Sequence, residues 1–303
     1  MAYNVSGLSS YVDVKKDVLI RDLVLGYVEG DTISKMAKQL GVKGTERLNY
    51  LNVDPVLQNG QGCGFSAQGS TVLTERDVTT KILKVNDQWC NDDLLGKFAE
   101  YLVRFGANAN AEEFGFEKEI LDAVGRGINK KMEKIVWQGD TGLTITGLLG
   151  LAEGADSAST IFTDAFSADT AMTLYDKVKA VIMKIPEEIL DEAVVFLSPA
   201  NFRELVFELL EKNNFHIEPE AIEKGEFYFP GTTIPIHKTY GLTGVDNKIY
   251  ASTWSNLVYA CDMMNDKEEY RVWFSDDNDV HRLKIKFNFG ITTYFPDAVV
   301  IGK

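Results

Sequence analysis

Residues 116–140 read FEKEILDAVGRGINKKMEKIVWQGD, and this stretch decides the fold. Phe116, Ile120, Val124, Ile128, Met132 and Ile135 recur at steps of three and four, with Leu121 and Val136 beside them. That spacing predicts one apolar stripe along a helix. Glu112, Glu113, Glu117 and Glu119 crowd its start, and Lys130, Lys131 and Lys134 gather towards its end. This order suits the helix dipole. About 22 residues at 1.5 Å each give a rod of roughly 33 Å. Gly125 and Gly127 interrupt it, each at a cost of about 1 kcal/mol against alanine. A kink or a close backbone neighbour is the expected reason. The rod stops in a turn at Trp137-Gln138-Gly139-Asp140. Nothing in it is catalytic; it is scaffold.

Around this rod lies a chain of 303 residues, 45% hydrophobic and 25% charged, enough for one large or two ordinary domains with a normal core. Its net charge of −14 repels phosphate and speaks against direct sequence reading of nucleic acid. No apolar run is long enough to span a bilayer, and no charged-then-apolar signal opens the chain. Cys63, Cys90 and Cys261 are odd in number and far apart, which argues for a reducing compartment.

Upstream of the rod, residues 1–44 look like a peripheral arm with two short helical patterns, at 14–26 and 31–40. Residues 48–57 read as extended, then comes Asn59-Gly60-Gln61-Gly62-Cys63-Gly64, then strands at 72–75 and 78–89 rich in Thr, Val and Ile. The reading is a long hairpin with a glycine-rich tip, too poor in core residues to stand alone. Exposed, it would be an aggregation hazard, so it is expected to lie on a partner. Asn91-Asp92-Asp93 caps a helix ending at Gly106.

Downstream, residues 141–164 read as a small, polar crossing loop. A helix follows from Ser167, with Met172, Tyr175, Val178, Ile182 and Ile185 inward, ended by Pro186. Residues 193–197 form a buried strand. Ser198-Pro199 opens a helix to about Lys212, and strands at 232–237, 248–251 and 257–260 complete an α/β unit. Residues 270–274 and 280–289 flank an acidic turn. In the second of these strands Leu283, Ile285, Phe287 and Phe289 alternate with Arg282, Lys284, Lys286 and Asn288, one dry face and one wet, basic face. The basic stripe is expected to meet an acidic patch on a neighbouring subunit, or a polyanion, if it is more than a solvated face.

The sequence carries little that points to chemistry. Ser198 has the strand-to-helix place of a hydrolase nucleophile but lacks the G-x-S-x-G glycines, and its role as an N-cap with proline at the next position explains it. His216, His237 and His281 are isolated, without zinc-ligand spacing. Gly60, Gly62 and Gly64 do not lead into a helix, so they form no dinucleotide fingerprint. The 277–288 stretch lacks the glycine and glutamate of a calcium loop. The expectation is a non-enzyme without cofactor.

Taken in order, these segments resemble the major capsid proteins of tailed bacteriophages, the HK97-like fold. The resemblance rests on 78–82 with 88–90 (VTTKI and QWC), on 116–120 with 137–140 (FEKEI and WQGD), on 194–202 (VVFLSPANF), on 256–263 (NLVYACDM), and on 271–275 (RVWFS) through Gly290-Ile291. It covers most of 45–303 and implies an α+β chain divided into an N-terminal arm (1–44), an extended E-loop hairpin (45–90), a peripheral P-domain with the spine helix and β-sheet (91–145), an inserted α/β axial A-domain (146–254) and a return to P-domain strands (255–303). It further implies a virion shell protein, assembled in the bacterial host cytoplasm into hexamers and pentamers of an icosahedral head around double-stranded DNA. Acidity suits a wall to which packed DNA must not stick. Expected partners are further copies of itself, a portal, decoration proteins and, since only about 44 residues precede the hairpin, a scaffold that is a separate protein. Assembly contacts are expected at Gly60, Gly62, Cys63, Gly64, Lys81, Lys84, Arg282, Lys284 and Lys286. Lys81 and Lys84 are placed in the hairpin, with no covalent crosslink assigned. Two other readings stay open: an encapsulin-type nanocompartment shell, and a soluble α/β enzyme with a cleft in 146–254.

Overall fold

A computed structural model describes residues 15, 19, 32–54, 56–57, 70–90, 115–164, 166, 172–212, 225–262, 269–275, 277–278 and 280–303. In chain order these build α1 (Thr32–Lys35), β1 (Ala37–Leu40), β2 (Thr45–Asp54), β3 (Ser70–Thr79), β4 (Lys81–Cys90), α2 (Gly115–Gln138), α3 (Leu148–Glu153), β5 (Ile161–Thr163), α4 (Leu174–Ile182), β6 (Ala193–Leu197), α5 (Pro199–Glu211), β7 (Glu226–Tyr228), β8 (Pro235–Lys238), β9 (Ile249–Thr253), β10 (Leu257–Cys261), β11 (Glu269–Ser275), β12 (Val280–Thr293) and β13 (Val300–Gly302). The helix expected over 91–106 and the glycine-rich tip lie outside the described residues.

The rod is one unbroken helix of 24 residues. Leu121, Ile128, Met132, Val136 and Trp137 are buried along it, with Val124 and Ile135 packed beside them. Gly127 borders open space, so no close neighbour explains it, and the helix does not break there. The exit turn does need its glycine. Gly139 has φ +75°, and a Cβ there would stand 2.6 Å from both the Gly147 N and the Ile145 O. Asp140 and Ile145 then exchange backbone hydrogen bonds, each of 2.9 Å.

A first sheet runs β1-β10-β12-β11, with β4 also on β12. The long strand β12 organises it. Residues 280–286 pair with β11, 280–289 with β4, and 290–293 with β10. Leu283, Ile285, Phe287 and Phe289 are buried in the same cluster as the α2 stripe. A second sheet runs β5-β13-β9-β6-β8-β7. Its strand β6 is buried at every residue, as an apolar run covered on both faces should be. α4 and α5 cover it through Val178, Val181, Phe202, Leu205 and Leu209.

Four expectations are corrected. The second helical pattern of the arm does not run to 40: Thr32–Lys35 is helical, Ala37–Leu40 pairs in parallel with β10, and Ile33 and Met36 are not peripheral but buried in the main cluster. The hairpin pairs β2 with β3 and its ladder ends at Thr79, not at 89. Thr80 turns the chain there by donating its N–H to the Gly44 O at 2.7 Å, and β4, with Leu83 buried, joins the first sheet instead. The crossing loop of 141–164 holds α3, whose Leu148, Leu149 and Ala152 fill the main core, and the strand β5. The 257–260 strand pairs with β1 and β12 rather than completing the α/β unit. Its expected place is taken by the end of the chain, since β13 lies between β5 and β9.

Candidate assembly surface

The hairpin of 45–79 is fixed to the body by a small core and one guanidinium. Leu48 and Val78 join Val42, Val258 and Ala260 in a buried cluster of their own. Two residues before Val78, and so on the same strand face, Arg76 turns inward. Its Nη2 donates to the Asp156 carboxylate and, at 3.1 Å, to the Thr293 hydroxyl; its Nε donates to the Thr292 hydroxyl at 3.0 Å. Gly290 lets the hairpin base come close, because a Cβ there would stand 2.7 Å from the Thr79 O. On the outward face Arg47 meets Glu75 at 2.6 Å and Asp77 at 3.4 Å, an exposed set that contributes little. Hence the angle of the hairpin depends on Arg76. Arg76→Ala is expected to cost about 2 kcal/mol by stranding the Asp156 carboxylate. It should also raise amide exchange selectively over 45–54 and 70–79, with α2 unchanged. Uniform exchange across both would mean that Arg76 does not set the hairpin.

Arg282, Lys284 and Lys286 do share the outward face of β12, half-buried. Register adds two cations that sequence distance hid. Lys84 on β4 stands opposite Lys286, and Arg271 on β11 stands opposite Lys284. Both are exposed, and the Arg271 guanidinium carbon lies 5.5 Å from the Trp273 ring centroid. Glu269 takes the register position opposite Lys286 on the other side. Lys81 is not part of this face. It stands opposite Phe289 on β4, and its ammonium donates to the Thr144 carbonyl and, at 2.7 Å, to the Thr144 hydroxyl. Lys81 and Lys84 therefore belong to the first sheet and not to the hairpin. Gly60, Gly62, Cys63 and Gly64 lie outside the described residues.

The arm is latched to the helix through buried polar groups the sequence did not single out. Thr32 donates its hydroxyl to the Glu133 carboxylate and accepts a hydrogen bond from the Trp137 Nε1 at 3.1 Å. Glu133 is 5% exposed. Three residues on, Lys35 reaches Glu226 on β7 at 2.8 Å and lies 5.1 Å from the Trp254 ring centroid. His237, buried beside Phe196 and Trp254, has its pKa lowered to about 4, first by desolvation, then by Lys35, with Glu226 opposing. Burial first, and then the Asp156 carboxylate, drive the Tyr250 hydroxyl far above its ordinary range, with Arg76 opposing.

Ser198 accepts from the Asn201 N–H at 3.2 Å as the expected cap, and donates to Asp246 at 2.5 Å. Among the described residues no three His, Cys, Asp or Glu side chains gather to hold a metal, and no helix is long and apolar enough to cross a membrane. What the surface offers chemically is a two-stranded ladder fixed at its base and a charged sheet face.

No protein-family model matches the chain, and no curated protein sequence matches it significantly. Solved structures do match along nearly its whole length. A chain of the satellite phage P4 procapsid that includes the size determination (Sid) protein is 9% identical with a TM-score of 0.62, over 97% of this chain and 94% of that one. The capsid of Myoviridae phage XM1 gives 12% identity and a TM-score of 0.55, over 88% and 89%. A virus-like particle from Pyrococcus furiosus gives 12% identity and a TM-score of 0.51, over 98% of both chains. The fold is that of these particle shells, the HK97-like fold of phage capsid proteins.

Proposed function

We propose that this chain, with its HK97-like fold, is a major capsid subunit whose copies close as hexamers and pentamers into an icosahedral phage head around double-stranded DNA. The observation that carries the reading is the end-to-end match to a procapsid chain, over 97% of this chain and 94% of that one. The hairpin agrees with it. Two strands of 10 residues, anchored at one end, make physical sense when the free length lies across a neighbour. In this reading residues 1–44 are the N-terminal arm, the hairpin is the E-loop, the α2 rod and first sheet are the P-domain, and the second sheet with α4 and α5 is the inserted A-domain. A scaffold, a portal and decoration proteins are the partners, and the packaged DNA is enclosed without sequence reading. The virion capsid, assembled in host cytoplasm, is the place of action.

A second reading is an encapsulin-type compartment shell, favoured by the match to the Pyrococcus furiosus particle over 98% of both chains. Expression of the chain alone and with its genomic neighbours, followed by negative-stain microscopy, tests both. Closed shells, tubes or hexamer rings are expected. Terminase and portal genes beside it select the phage head, and a cargo enzyme selects the compartment. Monomers or dimers under every condition, scaffold included, overturn the shell reading and return attention to an enzyme cleft.

A further inference from the structure

The chain carries two charge patches that cannot reach each other. One is the outward sheet face of Lys84, Arg271, Arg282, Lys284 and Lys286, brought together by the β4-β12-β11 register. Five cations on one face are unusual in a chain of net charge −14. The other is acidic. Glu187 and Glu188 lie in the turn after α4, Asp191 and Glu192 lie just before β6, and Asp297 lies in the turn between β12 and β13; all five are exposed. Among the described residues none of these acids pairs with a cation. Glu188, Glu192 and Asp297 border a groove of about 460 Å³, with the half-exposed Phe295 ring at its wall and Thr253 and Ser255 beside it.

Their separation follows from β12. Arg282 lies near the start of this 14-residue strand, and Phe295 and Asp297 follow its far end. At about 3.3 Å per residue the strand is roughly 45 Å long. Between Lys286 and the groove there is still roughly 20 Å of strand, twice the screening length of about 10 Å at ordinary salt. The two patches therefore do not neutralise each other within one copy. They differ in place and in sign, so a contact between them is heterologous, the kind that generates rings when the rotation closes.

We propose that in the assembled shell the basic β4-β12-β11 face of one copy seats on the acidic groove of a neighbouring copy, between residues 187–192 and Asp297. This rests on the shell reading above. The Phe295 ring at the groove's wall gives the contact an apolar element, and the charges set register and partner choice.

The test uses the full chain and counts particles by microscopy and sedimentation. One variant carries Arg282→Glu, Lys284→Glu and Lys286→Glu; a second carries Glu188→Lys, Glu192→Lys and Asp297→Lys; a third carries all six. Circular dichroism and melting of the soluble subunit check that each folds. Each reversed variant is expected to lose particle yield about tenfold or more, since like charges then face each other, and the six-fold swap is expected to restore most of it. Wild-type yield from either folded single set, or no recovery in a folded swap, overturns the proposal. So does a basic-face variant that assembles normally but retains less nucleic acid, which would assign that face to a polyanion. If reversal prevents folding, salt decides: wild-type yield should fall as sodium chloride rises to about 1 M, where screening shortens to about 3 Å, and an unchanged yield overturns the contact. A wild-type chain that forms no particles at all refutes the shell reading itself, an outcome distinct from particles that ignore charge reversal.

Discussion

Trp137→Ala is expected to remove about 4 kcal/mol of stability. Trp137 closes the α2 rod and is fully buried. Its ring lies 4.9 Å from that of Phe196 on β6 and 5.2 Å, edge-on, from that of Tyr250 on β9. Its Nε1 donates to the Thr32 hydroxyl of the arm. Gly241 is pressed so close that a Cβ there would stand 2.2 Å from the Trp137 Cδ1. One side chain thus joins the rod, the second sheet and the arm. Truncation opens a cavity at that junction and leaves the Thr32–Glu133 pair without its third member. With total stabilities of about 5–15 kcal/mol, such a loss leaves little of the subunit folded at elevated temperature. Trp137→Phe keeps most of the ring contacts and loses the hydrogen bond, so it should cost about 1–2 kcal/mol. Denaturant unfolding of soluble subunit measures both. An alanine variant within about 1 kcal/mol of wild type would show that the junction does not hold the sheets together.

Acid should loosen the same region. His237 has a folded pKa of about 4 against an ordinary 6.5. Because the folded value is the lower one, the unfolded chain takes up the proton first as pH falls. Stability linked to His237 is therefore fully present above pH 6.5 and is lost progressively between 6.5 and about 4. The shift corresponds to about 3 kcal/mol at most. Desolvation is the main cause, and Lys35, which approaches through Glu226 and Trp254, adds to it. Carboxylates titrate over the lower part of this window, so the informative quantity is a difference. The pH slope of unfolding free energy should be steeper in wild type than in His237→Leu between pH 6.5 and 4. Equal slopes would mean that His237 is not held neutral by the fold.

Local pattern was enough to read several elements. The rod follows from steps of three and four, which place Leu121, Ile128, Met132 and Val136 on one buried side. The cap at Ser198 follows from a hydroxyl placed before a proline, a short-range bond that needs no distant partner. In β12 the alternation of Leu283, Ile285 and Phe287 with Arg282, Lys284 and Lys286 marks the dry and wet faces at period two. Propensity misled where burial overruled it. Residues 37–40 carry a helical pattern, but an open edge of β10 takes them as a strand. The 141–164 stretch is glycine-rich enough to read as loop, yet Leu148 and Leu149 find the main core.

The candidate surface divides along the same line. Arg282, Lys284 and Lys286 were legible as a stripe because they lie two apart on one strand. Lys84 and Arg271 were not, because each reaches the stripe through pairing with a segment far away in the chain. Arg76 and Asp156 are 80 residues apart, and Thr32 and Glu133 are 101 apart; no period connects them.

By itself, the sequence determined the rod, its glycine turn, the α5 cap, the two-faced strand β12 and an order of segments resembling a capsid fold. Each of these depends on neighbours within a turn or a pleat. Only the tertiary structure decided that the arm enters the core, that the hairpin ends at Thr79, that the last strand lies between β5 and β9, and that five cations share a face. Those outcomes depend on which sheet edges and buried pockets remain open once the local elements exist, and edge complementarity is a property of the packed molecule rather than of any window of its chain.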